Sequence, residues 1–215
     1  MKHRMLGLTA IMLAIVFSAG NAVSHDNPAS GAGKQSIAKV DFRKAMRKLW
    51  EDHVTWTRLY IVSALADLPD KDLTAQRLLQ NQTDIGNAVK PFYGEAAGAK
   101  LTSLLKDHIL IAADLIAAVK SGETEKSSKV SAQWNDNADA IAGFLSGANP
   151  KNWTLKETKE MMHEHLASTT AEVVARLKKD WKGDIQAYDK VHNQILEMAD
   201  MLSEGIMNQF SAKFF

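Results

Sequence analysis

The chain has 215 residues, of which 46% are hydrophobic and 24% charged, a composition typical of one globular domain or a compact pair. Its formal net charge of +1 is close to zero, and its lysines and arginines are scattered along the chain instead of clustered. We therefore expect no nucleic acid and no anionic membrane surface as a partner. Cysteine is absent, which excludes disulfides, a lipidated cysteine and a cysteine nucleophile.

Residues 1–24 have the pattern of a secretory signal peptide. MKHR is basic, MLGLTAIMLAIVFSA is an apolar run shorter than a transmembrane helix usually requires, and GNAVS is rich in small residues. Cleavage after Ala22 or after Ser24 would fit, and no later apolar run is long enough to span a membrane. We therefore expect a periplasmic or secreted chain with no integral membrane span after cleavage. Residues 25–40, rich in Gly, Ser and Ala, predict a flexible leader.

From Asp41 onward, apolar residues recur at three- and four-residue steps, which predicts helices almost throughout. The first predicted helix runs from about Asp41 to Leu68 and stops at Pro69. Thr154 and Glu157 form a capping box ahead of the fifth helix, and a break near residues 181–184 precedes the sixth. The later apolar stripes span residues 78–92, 101–119, 130–145, 161–173 and 185–206.

The predicted helices form an internal repeat. Residues 49–94, 104–149 and 161–206 align without gaps at LWEDHV, LLKDHI and MMHEHL. A one-residue slip in either direction in the second helices brings Asn81, Asn137 and His192 to one equivalent position. Repeats of this length usually bury their apolar faces by stacking on each other. The sequence therefore predicts an all-α domain over residues 41–215, a bundle of about six helices built from three repeated antiparallel hairpins.

An acidic residue followed by a histidine occurs at the same place in each repeat, and two interpretations fit it. In the first, His53, His108 and His165 are neutral core residues whose hydrogen bonds only fix helix packing. In the second, they converge and hold a transition metal such as iron, copper or zinc. The preceding acids, Asp52, Asp107 and Glu164, lie about 100° away around a helix, so they belong on its flank.

The third hairpin carries the strongest pattern for a metal site. Asp189 replaces the apolar Leu78 and Trp134 of the other repeats, one turn before His192, and this spacing is used in carboxylate-bridged metal sites. The candidate ligands are His165, His192, Asp189 and Glu164, followed by His53 and His108. His163 aligns with outward positions and is not a candidate.

The sequence contains no motif that indicates an enzyme. It lacks G-x-S-x-G, a phosphate-binding loop and H-E-x-x-H. We therefore predict an exported, non-catalytic binding protein with a transition metal in a core cluster of histidines and carboxylates. The alternative is a structural or partner-binding helical module, and a protein partner or a homo-oligomer is left open.

The segments LWEDHVTWTR, RLLQNQTDIGNAVKPFYG and LLKDHILIAADL resemble a group of bacterial proteins with the motifs W-E-x-H-V-x-W-T-R, R-L-L-x-N-x-x-D-I and L-L-x-x-H-x-x-I-A. The resemblance covers residues 49–115. It implies a helical bundle in which the W-E-D-H segment is important. Some members carry the labels glycosyltransferase or acetylglutamate kinase, which these residues do not support, so the resemblance implies no activity.

Overall fold

The computed structural model describes the backbone of residues 28–214 and the side chains of residues 38–214. The predicted signal peptide lies outside these residues. Six α-helices and a short 3-10 helix make up the described chain, which contains no strand. They are α1 (Pro28–Leu65), α2 (Lys71–Tyr93), α3 (Glu95–Lys120), α4 (Thr124–Ala148), α5 (Leu155–Leu177), α6 (Trp181–Gln209) and the 3-10 helix Ser211–Lys213. The predicted all-α bundle of six helices is thus confirmed.

The six helices form a closed ring. Each packs against the next in chain order, and α6 packs back against α1. Because short turns join consecutive helices, α1, α3 and α5 run in one direction and α2, α4 and α6 in the other. In addition, α1 contacts α3 and α5 across the interior. The equivalent first helices of the three hairpins therefore meet inside the ring.

The start of α1 differs from the prediction. The helix begins at Pro28, so most of the segment expected as a flexible leader is helical, and it ends at Leu65 instead of Leu68. Proline suits the first turn of a helix, where its missing N–H has no intrahelical acceptor. Asp67, with φ 53°, turns the chain before Pro69.

The predicted break at residues 181–184 is also misplaced, because α6 already begins at Trp181. Glycine usually weakens a helix, but Gly183 lies in the first turn, where its N–H donates to Asp180 Oδ1 at 3.0 Å. The chain reverses instead at Lys179, with φ 60°.

The predicted N-terminus of α5 is confirmed. Thr154 is its N-cap, accepting from the backbone N–H of Glu157 at 3.3 Å. Its hydroxyl also donates to the Glu157 carboxylate at 2.7 Å. The preceding turn is anchored on α6, where Asn149 Nδ2 donates to the Gly205 carbonyl at 2.9 Å and the buried Trp153 indole lies against Gly205.

Within the described residues, none of the helices combines the length and the apolar character that a membrane crossing would require. The apolar faces are turned inward instead, and residues from all six helices form the main core. Two core indoles lie beside the repeated histidines, Trp50 beside His53 and Trp134 beside His108.

Candidate functional site

The three repeated histidines meet in the interior. His53, His108 and His165 are only 3%, 3% and 4% exposed. The ring centroids of His53 and His165 are 5.7 Å apart, and those of His108 and His165 are 6.3 Å apart. Since α1, α3 and α5 each supply one ring from the same repeat position, the sequence repeat becomes one cluster of three imidazoles.

An amide from the neighbouring helix fixes the imidazole of the second repeat. Asn137 on α4 donates through Nδ2 to the Leu104 carbonyl at 3.1 Å, which orients the amide. Its Oδ1 then lies 2.8 Å from His108 Nδ1. An amide oxygen only accepts, so Nδ1 of His108 carries the proton and Nε2 of the neutral ring is an acceptor.

The third repeat has the same geometry. Gln194 on α6 donates through Nε2 to the Met161 carbonyl at 3.1 Å, and its Oε1 lies 3.2 Å from His165 Nδ1. The histidine and its amide are 29 residues apart, as in the second repeat. His165 therefore also has its proton on Nδ1 and an accepting Nε2.

In the first repeat, two residues share this role. Asn81 donates to the Leu49 carbonyl at 3.0 Å. Gln82 Nε2 lies 2.8 Å from the Leu78 carbonyl, 3.1 Å from Asn81 Oδ1 and 3.2 Å from His53 Nδ1, so it has three acceptors for two hydrogens, while Gln82 Oε1 has no partner among the described residues. The Gln82 amide therefore does not determine which nitrogen of His53 carries the proton, in contrast to the amides beside His108 and His165.

These contacts correct the predicted register of the second helices. The amides that contact the histidines are Gln82, Asn137 and Gln194, each 29 residues after its histidine. They are equivalent in the gap-free alignment, so the slip that brought in Asn81 and His192 is wrong. The sequence signal that the slip obscured is that all three repeats have an amide side chain, Asn or Gln, at this position.

Burial keeps the three imidazoles neutral. Desolvation lowers the pKa of His108 to about 3 and that of His165 to about 4, and for His108 the nearby His165 adds to the effect. The pKa of His53 is also lowered well below its ordinary value, first by burial and then by the other two imidazoles. The hydrogen bonds that His108 and His165 donate to the amide oxygens of Asn137 and Gln194 oppose the lowering of their pKa values without reversing it.

The structure does not bring the predicted third-hairpin ligands together. His192 lies at the surface, where its Nε2 is 3.0 Å from Glu51 Oε1 of α1. Glu164 is exposed and pairs with Lys190 at 3.6 Å, and Asp189 is exposed. The apolar stripe of α6 passes through Val191, Ile195 and Met198 instead, which turns His192 and Asp189 outward. Of the six predicted ligands, only His53, His108 and His165 share a site.

The acids beside the histidines lie on the helix flanks, as predicted. Asp52 pairs with Lys48 on the surface at 2.7 Å, and Asp107 is exposed. His163, predicted to face outward, is 42% exposed in its side chain and contacts Asp139 at 2.9 Å. Across the part of the chain that the structure describes, no three His, Asp or Glu side chains are grouped so that they could hold a metal ion.

A cavity of about 440 Å³ adjoins the three imidazoles. On each of α1, α3 and α5 the histidine is the first lining residue, and the cavity extends toward the C-terminal ends of these helices. Most of its wall is apolar, and no Asp, Glu, Lys or Arg of the described chain lines it. Ser128 and Thr170 line it and are exposed, which places an opening between α4 and α5.

Two buried polar groups in the cavity wall have no hydrogen-bond partner among the described residues: Thr169 Oγ1 and Trp134 Nε1. Both residues are 4% exposed. The contrast with Thr57, one turn after His53, is informative, since its hydroxyl donates to the His53 carbonyl at 2.8 Å. Both atoms are enclosed within the wall and are not presented to a molecule in the cavity, and six other side-chain atoms of the described chain are likewise buried without a partner.

A buried ion network holds α1, α5 and α6 together. Arg58 contacts the Glu172 carboxylate at 2.9 Å and binds both oxygens of Asp184, and Arg176 binds Asp184 at 2.9 Å. Both acids are only 1% exposed. Burial raises the pKa of Glu172, and the Arg58 guanidinium opposes the rise. This paired network lies outside the cavity wall and explains how charges are buried in this bundle without a ligand.

Comparison of the chain with protein-family models, with curated proteins and with solved structures gave no match, so its function is inferred from the site alone.

Proposed function

We propose that this chain is a non-catalytic binding protein that takes a small, uncharged, largely apolar molecule into the cavity beside the three imidazoles. In keeping with the predicted signal peptide, we propose that it acts outside the cytoplasm. The observation that carries the proposal is a cavity of about 440 Å³ whose wall, within the described chain, combines three neutral imidazoles with apolar side chains and contains no Asp, Glu, Lys or Arg.

Size and charge define the class of ligand. A volume of about 440 Å³ lies within the range of small-molecule sites, roughly 300–1,000 Å³. A charged ligand would lose its hydration without gaining an ionic partner from the wall, which is costly. Neutral imidazoles and hydroxyls instead offer hydrogen bonds to an uncharged polar group.

The test uses N-phenyl-1-naphthylamine, an uncharged fluorophore, and 1-anilinonaphthalene-8-sulfonate, its sulfonated relative. We expect the uncharged probe to bind and the sulfonate to bind much more weakly. Ala112→Phe places a ring in the cavity and should abolish binding, whereas Ala117→Phe, the same change at an exposed position of α3, should not. Equal binding to both variants, or no binding to the natural chain, would refute the proposal.

A transition metal remains the second candidate, with a ligand set that differs from the one predicted. The observation that favours it is that Nδ1 of His108 and of His165 donates to an amide oxygen. Histidines that bind a metal through one ring nitrogen commonly donate a hydrogen bond to an oxygen through the other. The three rings would have to move closer together to share an ion. Zinc, copper and iron contents after purification without a tag, and the melting temperature with each metal added, test this candidate.

A further inference from the structure

The orientation of the three imidazoles bears on which uncharged molecule the cavity accepts. The Leu104 and Met161 carbonyls orient the amides of Asn137 and Gln194, and these amides orient His108 and His165. The position of the ring proton is therefore fixed by the backbone of α3 and α5 rather than by the ligand.

The resulting hydrogen-bonding capacity is that of two acceptors. His108 and His165 each have an accepting Nε2, and within the described chain neither atom has a hydrogen-bond partner. The proton position of His53 is not determined in this way, because Gln82 Nε2 also lies near two other acceptors. All three rings line the cavity.

We infer that the ligand carries an uncharged hydrogen-bond donor, a hydroxyl or an amino group, directed at Nε2 of His108 and His165. This inference rests on the proposed function. A hydroxyl group can give its one hydrogen to one of these nitrogens, and an amino group can give one hydrogen to each. An ether or a ketone has no hydrogen to give and would leave both acceptors unpaired. Beyond this group, Ile109, Ile116 and Val173 offer an apolar wall for a hydrocarbon portion.

The experiment compares isomers of equal size. The affinities of 4-propylphenol and 4-ethylanisole, which have the same atomic composition, are measured by calorimetry at pH 7.5, with 4-propylaniline to distinguish an amino donor from a hydroxyl. We expect the phenol, the aniline or both to bind about 3- to 10-fold more tightly than the ether, the value of one net hydrogen bond. In His108→Phe and in His165→Phe this preference should shrink, whereas His163→Phe, a surface change, should leave it unaltered.

The outcomes separate the two proposals. If the ether binds as well as the phenol and the aniline, this inference fails, and binding of N-phenyl-1-naphthylamine shows that the proposed function stands. If no uncharged probe binds, the proposed function fails. Should the phenylalanine variants not fold, nitrogen-15 NMR of the natural chain decides, because a proton on Nε2 of both His108 and His165 would overturn the inference.

Discussion

The substitution Asn137→Leu tests the amide that orients His108. It removes the acceptor 2.8 Å from His108 Nδ1 and the donor 3.1 Å from the Leu104 carbonyl, at nearly constant side-chain size. An orphaned, buried Nδ1–H costs about 1–3 kcal/mol, and the lost bond to the carbonyl about 1 kcal/mol. The free energy of unfolding should therefore fall by about 2–4 kcal/mol, measured by urea denaturation at pH 7.5 with circular dichroism.

The matched control lies two residues earlier on α4. Asn135→Leu removes contacts with the Ser131 carbonyl and with the half-exposed His163, and it should cost less than about 1 kcal/mol. In the double variant His108→Phe, Asn137→Leu, no imidazole N–H is left unpaired, so its loss should be smaller than the sum of the single losses by about 1 kcal/mol or more. A loss below about 0.5 kcal/mol for Asn137→Leu, or strict additivity, would refute a buried hydrogen bond at this position.

Three further predictions concern the scaffold. The core histidines have pKa values lowered by burial, so the stability they confer is complete above their unfolded value near 6.5. It should be lost as the pH falls toward about 4, by about 1.4 kcal/mol per pH unit for each histidine, and phenylalanine at one of the three positions should reduce that slope in urea titrations. Gly205→Ala should destabilise the fold by about 1–3 kcal/mol, because the new methyl group would overlap the Trp153 indole, whereas Gly143→Ala, which meets no neighbour, should be neutral or stabilising in thermal unfolding. Arg58→Leu should cost about 3 kcal/mol or more by leaving two buried carboxylates short of a counter-charge, and a loss near zero would contradict their pairing.

The helical periodicity was sufficient to predict the bundle, because each helix has one apolar face and the repeats supply equivalent faces. The burial of His53, His108 and His165 also followed from their place on those faces. The helix ends at Pro28 and Trp181 were harder to predict, since proline and Gly183 act as helix breakers in most positions but are tolerated in a first turn.

The predicted metal site in the third hairpin depended on the inward direction of His192 and Asp189. That direction was wrong because periodicity places residues on a face only to within about one position. Here the slipped alignment put the surface residue His192 in place of the core residue Gln194, two positions later. The cavity itself could not be predicted, because it depends on how closely α1, α3 and α5 approach one another, which the pattern of a single helix does not determine.

The central claim is that three neutral imidazoles, held by amides, border the binding site of an uncharged ligand. Nitrogen-15 NMR of histidine-labelled protein, recorded from pH 7.5 to pH 5 with and without 4-propylphenol, tests it most directly. We predict that His53, His108 and His165 stay neutral down to pH 5, with the proton on Nδ1 in the latter two, and that the Nε2 signals of His108 and His165 shift when the phenol is added. Protonation of these rings above pH 6, or buried-histidine signals that the phenol leaves unchanged, would contradict it.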